Sequence, residues 1–122
     1  MRRQGGGVLL AFGGGGTQTS PGLGGFKIAL DAVEGLRRQW SLEHGGDGIR
    51  FVTIKTGGIP GDAPGGHAGT EEIMAGFRGA ALLDRLATLD DVGRVAAFVA
   101  SDQARTMTSA TVYISCGAFV DI

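Results

Sequence analysis

Two apolar runs of strand length, residues 7–12 (Gly-Val-Leu-Leu-Ala-Phe) and 49–54 (Ile-Arg-Phe-Val-Thr-Ile), bracket a segment whose apolar residues recur at helical spacing. From Gly25 onward Phe26, Ala29, Leu30, Val33, Leu36 and Trp40 fall on one stripe, while Lys27, Asp31, Glu34, Arg38 and Glu43 lie away from it. Gly45-Gly46 stops that helix with His44 in its last turn. Strand, helix and strand with short joins specify a right-handed βαβ unit and a parallel strand pair. The first apolar run is continuous, as in a strand covered on both faces.

The rest of the chain extends this pattern. Residues 56–69, TGGIPGDAPGGHAG, read as a flexible loop on the same edge as the glycine-rich stretch that begins at Gly13. Thr70-Glu71-Glu72 opens a short helix to about Leu83, with acids placed where the helix dipole favours them. Thr88 reads as an N-cap, with Asp90 and Asp91 in the first turn and Val92, Val95, Ala96 and Val99 on one face of a helix to about Ser101. Thr111-Val112-Tyr113-Ile114 is a third strand. The order β-α-β-α-α-β describes half of a doubly wound α/β sheet, about three parallel strands with flanking helices.

Length and charge exclude several classes. The 122 residues make one domain, with 11 basic and 12 acidic residues along the chain and a net charge of −1, so no footprint for nucleic acid or an anionic membrane stands out. The single cysteine, Cys116, excludes an intrachain disulfide and a CxxC metal knuckle, which fits a reducing cytoplasm. No apolar run approaches the roughly 20 residues of a membrane span, and Met1-Arg2-Arg3 leads into Gln and glycines, not a signal-type core. Glycine is the anomaly: 24 residues, mostly in short runs that punctuate the apolar segments as loops.

Three segments resemble the C-terminal half of the short-chain dehydrogenase/reductase family. Glu34-Gly35-Leu36 through Leu42-Glu43, followed by Gly48-Ile49-Arg50-Phe51, is similar to the family's catalytic helix running into its sixth strand. Gly57-Gly58-Ile59 resembles the segment after that strand, and the resemblance implies a cofactor-binding role for these three residues beside a nicotinamide. Arg85-Leu86-Ala87-Thr88 through Phe98-Val99-Ala100-Ser101-Asp102, with Met107-Thr108, carries the most specific match. The implied fold is partial Rossmann-like. The family's first half, with its phosphate loop and ribose-binding acid, has no counterpart. The glycine runs do not supply GxGxxG: Gly13 and Gly15 would need glycine at Gln18, and Gly14 and Gly16 would need it at Thr19.

The resemblance also locates the catalytic positions. The family uses a tyrosine to pass a proton, a lysine four residues later on the same helix face, and a serine at the end of the preceding strand. Here the tyrosine position is Phe26, the lysine position is Leu30, and the serine position is Gly13 or Gly14. All three functional groups are absent. Lys27 does not rescue the motif, because Leu23 stands four residues before it and that register breaks the Glu34 match; it reads as a solvated first-turn residue.

Other candidates carry mainly structural readings. His44 complements a helix C-terminus, and His67, in the loop over the implied cleft, is the better candidate for acid–base work although a loop histidine is commonly just exposed. Cys116 stands where the family commonly shows Asp-Gly-Gly, and reads as a buried, inert thiol. Asp90-Asp91 reads as helix-start chemistry and not as a metal pair, and Tyr113 as a packing residue. Lys55 could reach a phosphate, with Thr56 at a position where the family has proline.

Three functions follow from these expectations. The chain is a degenerate or truncated family member without independent oxidoreductase activity and with no cofactor of its own. Or it is an interaction module, self-associating or pairing with a Rossmann first half, since the family's corresponding helix packs on its symmetry mate. Or it is a subunit of an NAD(P)-dependent oxidoreductase whose cofactor half lies elsewhere.

Overall fold

The computed structural model describes residues 1–14, 21–59 and 70–120. They build strand β1 (Gly7–Gly14), helix α1 (Gly24–His44), strand β2 (Ile49–Thr56), helix α2 (Thr70–Ala80), helix α3 (Leu89–Ala100) and strand β3 (Ala110–Ile114). The strands form one parallel sheet in the order β1-β2-β3. Leu9 pairs with Phe51, and Thr53 in turn with Thr111. The doubly wound α/β architecture is the one the sequence specifies.

The central strand supplies most of the core. Ile49, Phe51, Val52, Thr53 and Ile54 are all buried, because β2 has a hydrogen-bonded neighbour on each side and a helix layer on each face. Alternation sends Phe51, Thr53 and Lys55 toward α1. The Phe51 ring lies 6.0 Å from Trp40 and 6.4 Å from His44, both on α1. Arg50, Val52 and Ile54 face the α3 side, where Val92 and Val99 are buried. The Arg50 guanidinium donates to the carbonyls of Val99 and Ser101 at the end of α3 and to that of Met107. A cation at the carbonyl end of a helix is the favourable placement.

Helix α1 meets the sheet with an unexpected face. Its half-buried or buried residues are Lys27, Leu30, Glu34, Arg37, Ser41 and His44, while Phe26, Ala29, Val33, Leu36 and Trp40 are exposed. The apolar stripe is therefore turned about one residue away from the sheet. The cause lies on the sheet, which presents Thr53 and Thr111 to the middle of α1. Glu34 and Arg37 pair there, with Arg37 donating to Glu34 at 3.1 and 3.3 Å and to Ser109 at 3.1 Å.

Several boundaries move for identifiable reasons. Strand β1 runs on through Gly13 and Gly14, and β2 through Lys55 and Thr56. Threonine retains the N–H that a proline would remove from the ladder, so pairing continues. Helix α2 stops at Ala80, short of Leu83, because the Leu82 and Leu83 amides donate to the Cys116 carbonyl instead. Helix α3 starts as expected, with a capping box: Thr88 Oγ1 accepts from the Asp91 amide and Asp91 accepts from the Thr88 amide.

Candidate functional site

The carboxyl ends of the three strands are where a parallel sheet of this kind receives a ligand. Gly13, Lys55 and Tyr113 stand side by side there, Gly13 paired with Lys55 and Lys55 with Tyr113. A Cβ on Gly13 would lie 3.4 Å from Thr53 Cγ2 and 3.5 Å from Lys55 Cγ, so the serine-position candidate adjoins the Lys55 stem. Phe26 is 60% exposed and Leu30 is half-buried on the sheet-facing side of α1. No hydroxyl, phenol or ammonium is carried at Gly13, Gly14, Phe26 or Leu30.

The glycines at 57 and 58 are used by the chain's own packing. A Cβ on buried Gly57 would fall 2.8 Å from the Ser115 Cβ and 3.2 Å from the Phe119 ring. Gly58 has φ +71° and lies against the Phe77 ring, which meets Phe119 edge-on at 5.7 Å. Ile59 is half-buried. Side chains from α2 and from the turn after β3 thus occupy the space these glycines leave.

Other sequence candidates separate into distinct places. Lys27 is not freely solvated: it is half-buried and bonds Asp31 at 2.8 Å. His44 sits in the last turn of α1, with Nδ1 3.7 Å from Asp47. His67, along with residues 15–20 and most of the loop after β2, lies outside the described residues. Cys116 is half-buried at φ +52°, and its carbonyl, not its thiol, is engaged. Buried Ser115 accepts the Phe119 amide through its hydroxyl. Asp90 bonds Arg94 and Asp91 serves the cap, and among the described residues no three acidic, histidine or cysteine side chains gather as a metal site. Tyr113 is 39% exposed instead of packed.

The electrostatics centre on Glu34. Burial works to raise its pKa, but the nearby Thr53 hydroxyl, hydrogen bonding from Arg37 and the charges of Arg37 and Lys55 outweigh this and hold it below the ordinary value. The Thr53 hydroxyl is near enough to favour the carboxylate, yet its geometry falls short of a hydrogen bond. Among the described residues Thr53 Oγ1 and Glu34 Oε1 have no bonded partner. Sequence reasoning missed this cluster because Glu34, Arg37, Thr53 and Ser109 come from three separate segments. An open depression of about 420 Å³ lined by Arg78, Leu82, Leu83, Asp84, Arg85 and Ala81 includes no residue of the strand ends.

Comparison with known proteins fits this geometry to a family. A family model described as enoyl-(acyl carrier protein) reductase matches residues 1–118. The chain belongs to the short-chain dehydrogenase/reductase family. It is 32% identical over 90 residues to the NADH-dependent enoyl-[acyl-carrier-protein] reductase FabI of Haemophilus influenzae, covering 74% of this chain and 34% of that protein. It is 32% identical over 108 residues to meso-2,3-butanediol dehydrogenase of Serratia marcescens, covering 84% and 42%. Among solved structures, an enoyl-(acyl-carrier-protein) reductase from Anaplasma phagocytophilum in complex with NAD superposes with TM-score 0.84 at 28% identity, covering 93% of this chain and 44% of that one. A short-chain type dehydrogenase/reductase from Mycobacterium ulcerans gives TM-score 0.84 at 26% identity, covering 97% and 43%. The chain thus spans less than half the length of these relatives. No helix of the described residues is long and apolar enough to cross a membrane.

Proposed function

We propose that this chain forms the C-terminal half of a short-chain dehydrogenase/reductase fold and has no oxidoreductase activity by itself. What supports the reading is the register of the resemblance, which puts Gly13 or Gly14, Phe26 and Leu30 at the positions of a serine, tyrosine and lysine site. Each substitution keeps backbone or bulk and removes the group that would hold or transfer a proton. Residues 1–122 act as a single unit, and a dinucleotide-binding first half from another segment docks along the outer edge of β1, where the described residues supply no neighbouring strand. NAD or NADP enters with that half. The relatives' names, enoyl-[acyl-carrier-protein] reductase and meso-2,3-butanediol dehydrogenase, suggest the substrate class of the completed assembly. The single Cys116 suits a reducing cytoplasm.

The test mixes the purified chain with NADH or NADPH and an enoyl or carbonyl acceptor, and follows cofactor binding and oxidation. The expected result is no turnover. Turnover that disappears when a residue of this chain is changed would overturn the reading.

A second reading, self-association, is favoured by the exposed stripe of Phe26, Val33, Leu36 and Trp40 on α1. A contiguous apolar face on a surface helix marks an interaction site. Light scattering at micromolar concentration reports a dimer or larger species if this stripe is covered by a second copy; a clean monomer excludes it.

A further inference from the structure

The chain has two lysines, and they differ in how their charge is met. Lys27 is paired with Asp31. Lys55 makes no ion pair among the described residues, although it stands next to the end of the central strand. Its stem lies beside Gly13, where a Cβ would come within 3.6 Å of Cε, and its Nζ sits over the Tyr113 ring, 5.9 Å from the centroid. Gly13 sets no side chain against this side of the Lys55 stem, and the half-exposed ring of Tyr113 lies on the other side.

Among the described residues the charge balance around this group leaves it uncompensated. Glu34, on α1 over the same face, feels the Lys55 charge but is already bonded twice by Arg37, and that pair is neutral as a unit. Lys27 and Asp31 likewise cancel. No acidic side chain stands in the first turn of α1, the helix end nearest the strand termini. Among the described residues the α1 side of the carboxyl edge therefore carries one unmatched positive charge beside an exposed tyrosine. The fully buried Thr53 hydroxyl, next along β2 on this face, also lacks a partner among the described residues.

We propose that Lys55 and Tyr113 form a binding site for an oxyanion, the carboxylate or phosphate group of a small ligand, at the carboxyl edge of the sheet. The Lys55 ammonium supplies the charge and three N–H donors, and the Tyr113 phenol can donate one more. The ring gives a flat wall for a planar ligand portion and holds the ammonium by its π-face. The site uses only residues of this chain, so it stands apart from the question of turnover and from the docking of a first half.

Sequence composition makes the test direct, because the chain has one tyrosine and two lysines. Selective 13C labelling of lysine leaves the ammonium unmodified and gives separate NMR signals for Lys27 and Lys55, while Tyr113 gives the only tyrosine ring signals. The full chain is titrated at constant ionic strength with inorganic phosphate and, separately, with acetate. Saturable movement of the Lys55 and Tyr113 signals, with Lys27 still, is the expected result; saturation at about tenfold lower concentration by one anion names it as the preferred group. Lys55→Met should abolish the saturable Tyr113 shift and Lys55→Arg should keep it. Shifts that stay linear with anion, that move Lys27 equally, or that persist at Tyr113 in Lys55→Met would overturn the proposal. The wild-type titration decides the matter even if a variant fails to fold.

Discussion

On the α3 side of β2, Val52 and Ile54 are buried to 1% and 0% exposure opposite a helix that contributes Val92 and Val99. On the α1 side the same strand turns Thr53 and Lys55 toward a helix whose buried residues are Glu34 and Arg37. The first contact is apolar and tolerates small shifts, since burial is not directional. The second depends on the angle of an Arg–Glu fork and on Ser109 and Thr111 across the sheet, so it fixes where α1 lies. One helix is held by area and the other by geometry.

Breaking the apolar side should cost most. Ile54→Ala removes a fully buried side chain from the central strand and is expected to lower stability by about 4 kcal/mol, measured by urea unfolding. A loss below about 1 kcal/mol would mean that this face is not the core.

The polar side offers a sharper contrast. Arg37→Met leaves the Glu34 carboxylate buried and uncompensated, with an expected cost of about 3 kcal/mol. The double change Glu34→Leu with Arg37→Met should recover most of that loss, because two matched apolar groups replace the ion pair. If the double variant is no better than Arg37→Met, the pair contributes more than its own neutrality. Acid adds a second readout. The native pKa of Glu34 is lowered, so its contribution is fully present above the ordinary value of 4.5 and is lost as pH falls through the lower native one. Acid unfolding of Glu34→Gln should accordingly show a shallower fall over that window than the wild type.

The smallest effect belongs to the cap that starts α3. Thr88→Ala removes the side-chain acceptor for the Asp91 amide and should cost about 1 kcal/mol, seen as a modest drop in thermal midpoint. Asp91 itself is held below its usual pKa by the Thr88 backbone hydrogen bond first, then by the Thr88 hydroxyl and Arg85. The acid limb of the Thr88→Ala variant should therefore flatten slightly.

Much of the α/β frame was legible because its signals are local. The apolar run at 7–12, the β-branched run at 49–54 and the Thr88–Asp91 cap each need only neighbouring residues to declare themselves. The assignment of Gly13 or Gly14, Phe26 and Leu30 to catalytic positions rests on the resemblance alone. The facing of α1 was not legible. Its apolar stripe is stronger than its polar one, and periodicity alone does not know that the sheet presents Thr53 and Thr111. The end of α2 was missed for the same reason: the carbonyl that draws away Leu82 and Leu83 belongs to Cys116, some 30 residues on.

By itself, the sequence determined the order of elements and the parallel sense of the strands. Those depend on period, turn residues and residue identity, all of which are written along the chain. Only the tertiary structure decided that Glu34 and Arg37, not the apolar stripe, meet the sheet, that Gly57 and Gly58 are filled by Ser115, Phe119 and Phe77, and that Lys55 stands between Gly13 and Tyr113. Each is a contact between segments far apart in sequence, and register across the sheet, not propensity along it, sets which groups meet.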